Sequence, residues 1–234
     1  MTIPEGPYAD TRDMYAVHTA FRREFAALPA LVRGVEAGDD ERLRVVADHI
    51  ELVSAVLEAH HRSEDVHLWP KLLERGSEAV APVVELMEGH HSRIERLNSE
   101  AMAALGEWRD RATVGRTEAL ADLLSRLCEV LYEHMSLEET HILPIAEKCV
   151  TAAEWQEMAG GSGARLPAES MPLVFGMVLY EGDQDVIEHI LSGLPPAVRT
   201  MLEKQGTRDF AAHSQRVHGT PTPRRSGPLS STQR

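Results

Sequence analysis

The sequence predicts an all-α protein: an antiparallel, up-and-down four-helix bundle followed by short helices and a disordered tail. Three observations carry that expectation. Aromatic residues make up only 5% of the 234 residues while apolar residues reach 43%, a balance that suits helices, because strands favour aromatic and β-branched side chains. Apolar residues recur at helical spacing over four long stretches joined by short connections, as in a bundle. The chain also repeats itself. His60, Glu64, His67 and Pro70 recur 74 residues later as His134, Glu138, His141 and Pro144, and His18 recurs at His91.

Residues 1–10 read as an N-terminal extension and residues 11–150 as the bundle. Its first helix covers about 11–37 and carries Met14, Val17, His18, Phe21, Phe25, Leu28, Val32 and Val35 at helical spacing. Pro29 is expected to kink or split it, because proline removes an N–H and crowds the preceding turn. Asp39 or Asp40 can cap the second helix, about 41–75, whose last part Pro70 interrupts. The third spans about 78–109, with Pro82 near its start, where proline is tolerated. "RATVGRT" (111–117) reads as a connection, and the fourth helix covers about 118–148 with Pro144 near its end.

Residues 151–218 read as a C-terminal helical extension. Thr151 and Glu154 form the pattern of a capping box, and "GGSGARLPAES" (160–170) has the composition of a flexible linker. Several short helices follow. Residues 219–234 are rich in Pro, Ser, Thr, Gly and Arg and are expected to be a disordered basic tail.

The formal charge of −13 argues against a nucleic-acid partner. From Arg199 onward seven basic residues face two acidic ones, so that end carries about +5 and the remainder about −18. Cys128 and Cys149 have no paired spacing, so no disulfide framework or Cys-based zinc site follows. The N-terminus lacks a secretory pattern and no run is long enough to span a membrane, which makes a reducing cytoplasm the expected setting. Twelve histidines, mostly clustered, are the anomaly.

His60 and Glu64 are four residues apart, and so are His134 and Glu138; each pair shares a helix face. Val53, Val56 and Leu57 precede the first pair, and Leu127, Val130 and Leu131 the second. A bundle that turns these faces inward buries two carboxylates among imidazoles. An isolated buried carboxylate is strongly disfavoured. A hydrogen-bonded polar layer could compensate, but two divalent cations bridged by the glutamates do so more directly. Imidazole suits iron, copper and zinc.

Over residues 11–148 the chain resembles the hemerythrin-like, or HHE cation-binding, family. The resemblance rests on "MYAVHTAFRREF", "HHRSEDVHLWP", "HHSRIERL" and "HMSLEETHILP", in the family's order and spacing. It implies two non-haem irons, although manganese or zinc would suit the same donors. By position, His18 and His60 would bind one iron, His91 and His134 the other, and Glu64 and Glu138 would bridge. Oxygen carriers of the family have a further histidine where Met87 stands here. His61 or His90 takes that place, or water does, or that iron stays more open, with His61 the better candidate, either as a ligand or as the hydrogen-bond partner of one.

His90, about 100° around the helix from His91, is expected to be exposed. His67 and His141 share the inner face about 10 Å along the axis, too far for direct ligation. Asp65 and Glu139 are solvated or accept from a ligand histidine. Tyr15, Tyr132 and Met135 pack near the site, His49 is structural, and His189, His213 and His218 read as surface or packing residues, with loose metal binding the alternative. The resemblance implies binding of O2, NO or peroxide for sensing, storage or detoxification. The alternatives are a di-iron oxidase, oxygenase or catalase-like enzyme, and a regulator that docks a protein partner through its C-terminal extension.

Overall fold

The computed structural model describes residues 6–194 and 196–226. Helices dominate them: α1 (Arg12–Arg33), α2 (Asp40–His67), α3 (Trp69–Arg75), α4 (Val80–Asp110), α5 (Val114–Leu137), a π turn (Glu138–Ile142), α6 (Leu143–Cys149), α7 (Ala152–Gly163), α8 (Met171–Glu181), α9 (Gln184–Ser192) and α10 (Pro196–His218). The only β pairing among the described residues is an isolated bridge, Tyr8 with Thr151, which lays the N-terminal segment beside the start of α7. No described helix is long and apolar enough to cross a membrane.

α1 packs against α2 and α5, and α4 packs against the same two, so the long helices close into a ring. Two apolar clusters fill it. One holds Phe25, Leu28, Ile50, Leu57, Leu97, Trp108, Leu124 and Leu131. The other holds Met14, Leu68, Trp69, Val84, Met87, Ile142, Leu143 and Trp155. Each large side chain so buried is worth about 1.5–3 kcal/mol. On α1, α2, α4 and α5 one histidine falls where the chain passes from one cluster to the other: Met14–His18–Phe21, Leu57–His60–Leu68, Met87–His91–Ile94, and Leu131–His134–Ile142. The site is thus a polar layer between two dry ones.

Local chemistry sets the element ends. The Asp39 side chain accepts from Arg42 N and opens α2. Thr151 and Glu154 form the expected capping box at α7. α2 gives way to α3 just before Pro70, as expected.

Several expectations need correction. Pro29 does not split α1, which runs unbroken through it. The carbonyl that proline deprives of a partner, Phe25 O, accepts a hydrogen bond from Cys128 Sγ at 3.0 Å instead. α5 begins inside the expected connection, at Val114, because Thr113 caps it by accepting from Arg116 N. The segment expected to be a linker is helical as far as Gly163. Gly161 serves close packing: a Cβ on it would lie 3.0 Å from both His67 Nε2 and Ser63 Oγ. The expected short pieces after residue 195 are one long helix, α10, in which Gly206 meets Gly176 of α8; a Cβ on Gly176 would lie 2.2 Å from the Gly206 carbonyl oxygen.

The disorder expected from residue 219 does not hold for 219–226. Tyr180 Oη donates to the Pro223 carbonyl at 2.6 Å, and the Arg225 guanidinium stands 5.0 Å over the Tyr180 ring. The rest of the expected disordered tail, 227–234, lies outside the described residues.

Candidate metal centre

Four helices deliver the polar layer. α1 supplies His18, α2 supplies His60, His61 and Glu64, α4 supplies His91, α5 supplies His134, and the π turn starts at Glu138. All seven side chains are buried. Their donor atoms fall into two groups, each within 4.8 Å: His61, Glu64, His91 and His134, and His18, His60, Glu64 and Glu138. Glu64 belongs to both.

Within the second group His18 Nε2 is 3.3 Å from Glu138 Oε2, and His60 Nε2 is 3.0 Å from Glu64 Oε1. In the first, His91 Nε2 is 3.2 Å from His134 Nε2 and 3.4 Å from Glu64 Oε2, and the His61 ring stacks on His91 at 4.2 Å. Glu138 also lies 3.7 Å from His134 Nε2, across to that group.

Two acids fix the ring orientations. His91 Nδ1 is 2.7 Å from Asp65 Oδ1, which also accepts from Trp69 Nε1 at 2.9 Å. His18 Nδ1 is 2.9 Å from Glu139 Oε1, which also accepts from Arg22 at 2.7 Å. A carboxylate accepts, so Nδ1 carries the proton in both rings and each Nε2 turns inward. Both acids therefore act on ligand candidates, Glu139 from a buried position and Asp65 from an exposed one. Each directly follows a site glutamate, and each serves a histidine of the opposite half of the repeat.

The donor set fits a pair of cations. His18 Nε2, His60 Nε2, His61 Nε2 and both oxygens of Glu64 and of Glu138 are buried without a hydrogen-bond partner among the described residues. Such groups ordinarily find partners. Inward nitrogen lone pairs facing carboxylate oxygens at 3.0–3.4 Å repel unless positive charge sits between them. The titration behaviour shows the same demand. Burial disfavours charge on His18 and His91, yet Glu138 and Glu139 around the one, and Asp65 and Glu64 around the other, raise both to about 9. Burial and the charge on His18 push His60 down to about 3. Burial, with Glu138 beside it, pushes Glu64 up.

The hemerythrin HHE cation-binding domain matches residues 9–148. The chain belongs to this family. Searches of curated proteins and of solved structures give no match.

In this HHE domain Met87 is buried within an apolar cluster and joins neither donor group. His90 is half-buried rather than exposed, its ring 6.0 Å from that of His134, because α4 turns it toward α5; it joins neither group. His67 sits against α7, with Nδ1 4.0 Å from Glu157. His141 leaves the inner face and is exposed. The π turn holds one more residue per turn than an α-helix and rotates His141 outward, bringing Ile142 inward. Tyr15 Oη donates to the Glu139 carbonyl at 3.3 Å and Tyr132 Oη to the Arg22 carbonyl at 2.7 Å. The placement of His61 follows from its position beside His60; the two supporting acids carried no spacing signal beyond standing next to Glu64 and Glu138.

Proposed function

We propose that the protein is a non-haem di-iron protein that binds O2, NO or peroxide, for sensing, storage or detoxification. One observation carries the reading: Glu64 is common to two buried donor groups, and its oxygens, those of Glu138 and the Nε2 atoms of His18, His60 and His61 have no hydrogen-bond partner among the described residues. Glu64 would bridge the irons, with His61, His91 and His134 completing one and His18, His60 and Glu138 the other. Glu138 lies close enough to His134 to share its second oxygen. A bound ferrous pair supplies electrons and a coordination position for a small oxidant. The group with two histidines is the one with room for it.

The protein's own residues do the rest. Asp65 and Glu139 hold the Nδ1 protons of His91 and His18, so these rings present only their Nε2 lone pairs inward. The apolar clusters above and below the layer keep water out. The alternation of those clusters along successive helices supports an antiparallel up-and-down order. Two buried free cysteines support a reducing, cytoplasmic setting, and the net charge disfavours nucleic acid.

The test is to load the chain with ferrous iron without air, admit O2, and follow near-ultraviolet and visible absorption. Charge-transfer bands that vanish on deoxygenation are expected for a carrier or sensor. Bands that form once while O2 is consumed indicate an oxidase or catalase-like enzyme. Bound iron with no bands would overturn the oxygen chemistry.

A further inference from the structure

We propose a separate metal site, for one divalent transition ion of the zinc class, built by Glu24 of α1, His49 of α2 and His218 at the end of α10. His49 Nε2 and His218 Nε2 lie 3.3 Å and 3.0 Å from the same oxygen, Glu24 Oε2. The three donors fall within 4.8 Å of one another. These residues are 25 and 169 positions apart in the chain, and no sequence spacing connects them.

His49 is fully buried, and its Nε2 has no hydrogen-bond partner among the described residues. Its other nitrogen, Nδ1, is 3.0 Å from His213 Nε2. When Nδ1 donates to His213, the lone pair on Nε2 points at Glu24. The Arg23 guanidinium holds the other oxygen of Glu24, at 2.6 and 3.0 Å, and leaves Oε2 to the two imidazoles. Arg23 also pairs with buried Glu181, so its charge is shared between two acids. The result is two imidazoles and a carboxylate converging on one point. One imidazole is oriented by a neighbour on its far nitrogen, as ligating histidines usually are. Two nitrogens and an oxygen with a position left for water suit zinc or its neighbours in the first transition row. His218 also lines a surface groove, whose other walls include Ala26, Pro223, Arg23, Arg224 and Arg225. An ion held here ties α10 to both α1 and α2.

The test strips the full chain with a chelator, reloads it with Co2+, removes the excess, and counts cobalt per chain. The expected result is one ion fewer in His218→Ala and in His218→Gln than in the native chain, with helix content unchanged by circular dichroism. Glu64→Ala, which acts on the bundle centre, keeps the ion at His218. Equal cobalt in the native chain and both His218 variants overturns the site and leaves Glu24 and His218 as a plain ion pair. The two centres fail separately. Should the bundle bind no metal, the native chain still holds the single ion that the His218 variants lose.

Discussion

Where α2 carries His61, α5 carries Met135, 74 residues on. Both are buried, but only one has a nitrogen lone pair suited to iron or zinc. The halves also end differently. α2 breaks cleanly into α3 before Pro70, whereas α5 passes through a π turn before Pro144. The repeat builds a two-sided frame, and one substitution and the π turn, with no residue inserted, make its sides unequal. The first donor group has three histidines and a glutamate, and the second has two of each. A centre with unequal ends can direct an incoming ligand to one of them.

The sharpest way to break this comparison is to remove the glutamates one at a time. Glu64 serves both donor groups, so Glu64→Ala is expected to lose both ions; Glu138→Ala should keep the ion at His91 and His134. Elemental analysis of desalted protein checks this, and equal losses would make the two carboxylates equivalent. Next, His61→Met makes the halves alike. It should release the ion at the His91 end and spare the ion at the His18 end, the mirror image of Glu138→Ala. Retention of both ions would remove His61 from the ligands.

Smaller effects come from the supporting acids. Asp65→Asn and Glu139→Gln should each weaken one ion by about 10–100-fold, the usual consequence of losing a ligand's hydrogen-bond partner. Competition with a chelator of known affinity reads this, and full-strength binding in either variant would show that its acid does not tune the centre. The smallest concerns the outer ends of the halves. Arg75, at the end of α3, pairs with Glu154 through two bonds of 2.8 Å. Cys149, standing 74 residues after Arg75, contributes only its carbonyl to that arginine. The hydrogen bond from Arg75 holds Glu154 down to about 2 against its ordinary 4.5. The unfolded chain therefore binds more protons between those values. The contribution is complete above pH 4.5 and is lost as the pH falls toward 2. Glu154→Gln should abolish that portion of the acid sensitivity, read as the denaturation midpoint against pH; an unchanged profile would show that the pair is inert.

The repeat made most of the bundle legible. His18, His60, Glu64, His91, His134 and Glu138 could be placed on one layer because helical spacing and the repeat offset, 74 residues for His60 and Glu64 and 73 for His18, are both local arithmetic. The π turn was not legible. An α-helical count keeps His141 beneath His134, and nothing in "EETHI" announces the extra residue that turns it outward. Pro29 misled for a related reason: its effect depends on whether Phe25 O finds another donor, and that donor is a cysteine 103 positions away. "GGSG" looked like a linker because composition does not distinguish a glycine that needs freedom from one that needs thinness. The meeting of Glu24, His49 and His218 depends on how α10 docks. That docking rests on tertiary contacts such as Arg42 reaching the carbonyls of Arg216 and Val217.

The exchange of acids between the halves bears on how such a chain could arise. Asp65 of the first hairpin serves His91 of the second, and Glu139 of the second serves His18 of the first. A single hairpin thus lacks the partner its own histidine needs. Two identical hairpins related by a twofold axis would lend and borrow these acids symmetrically, and a dimer of that kind is the commonest assembly known. The segment 76–79 between α3 and α4 is all that joining the two copies would require. Once they share one chain, either copy can drift alone, and the contrast between His61 and Met135 is what such drift looks like.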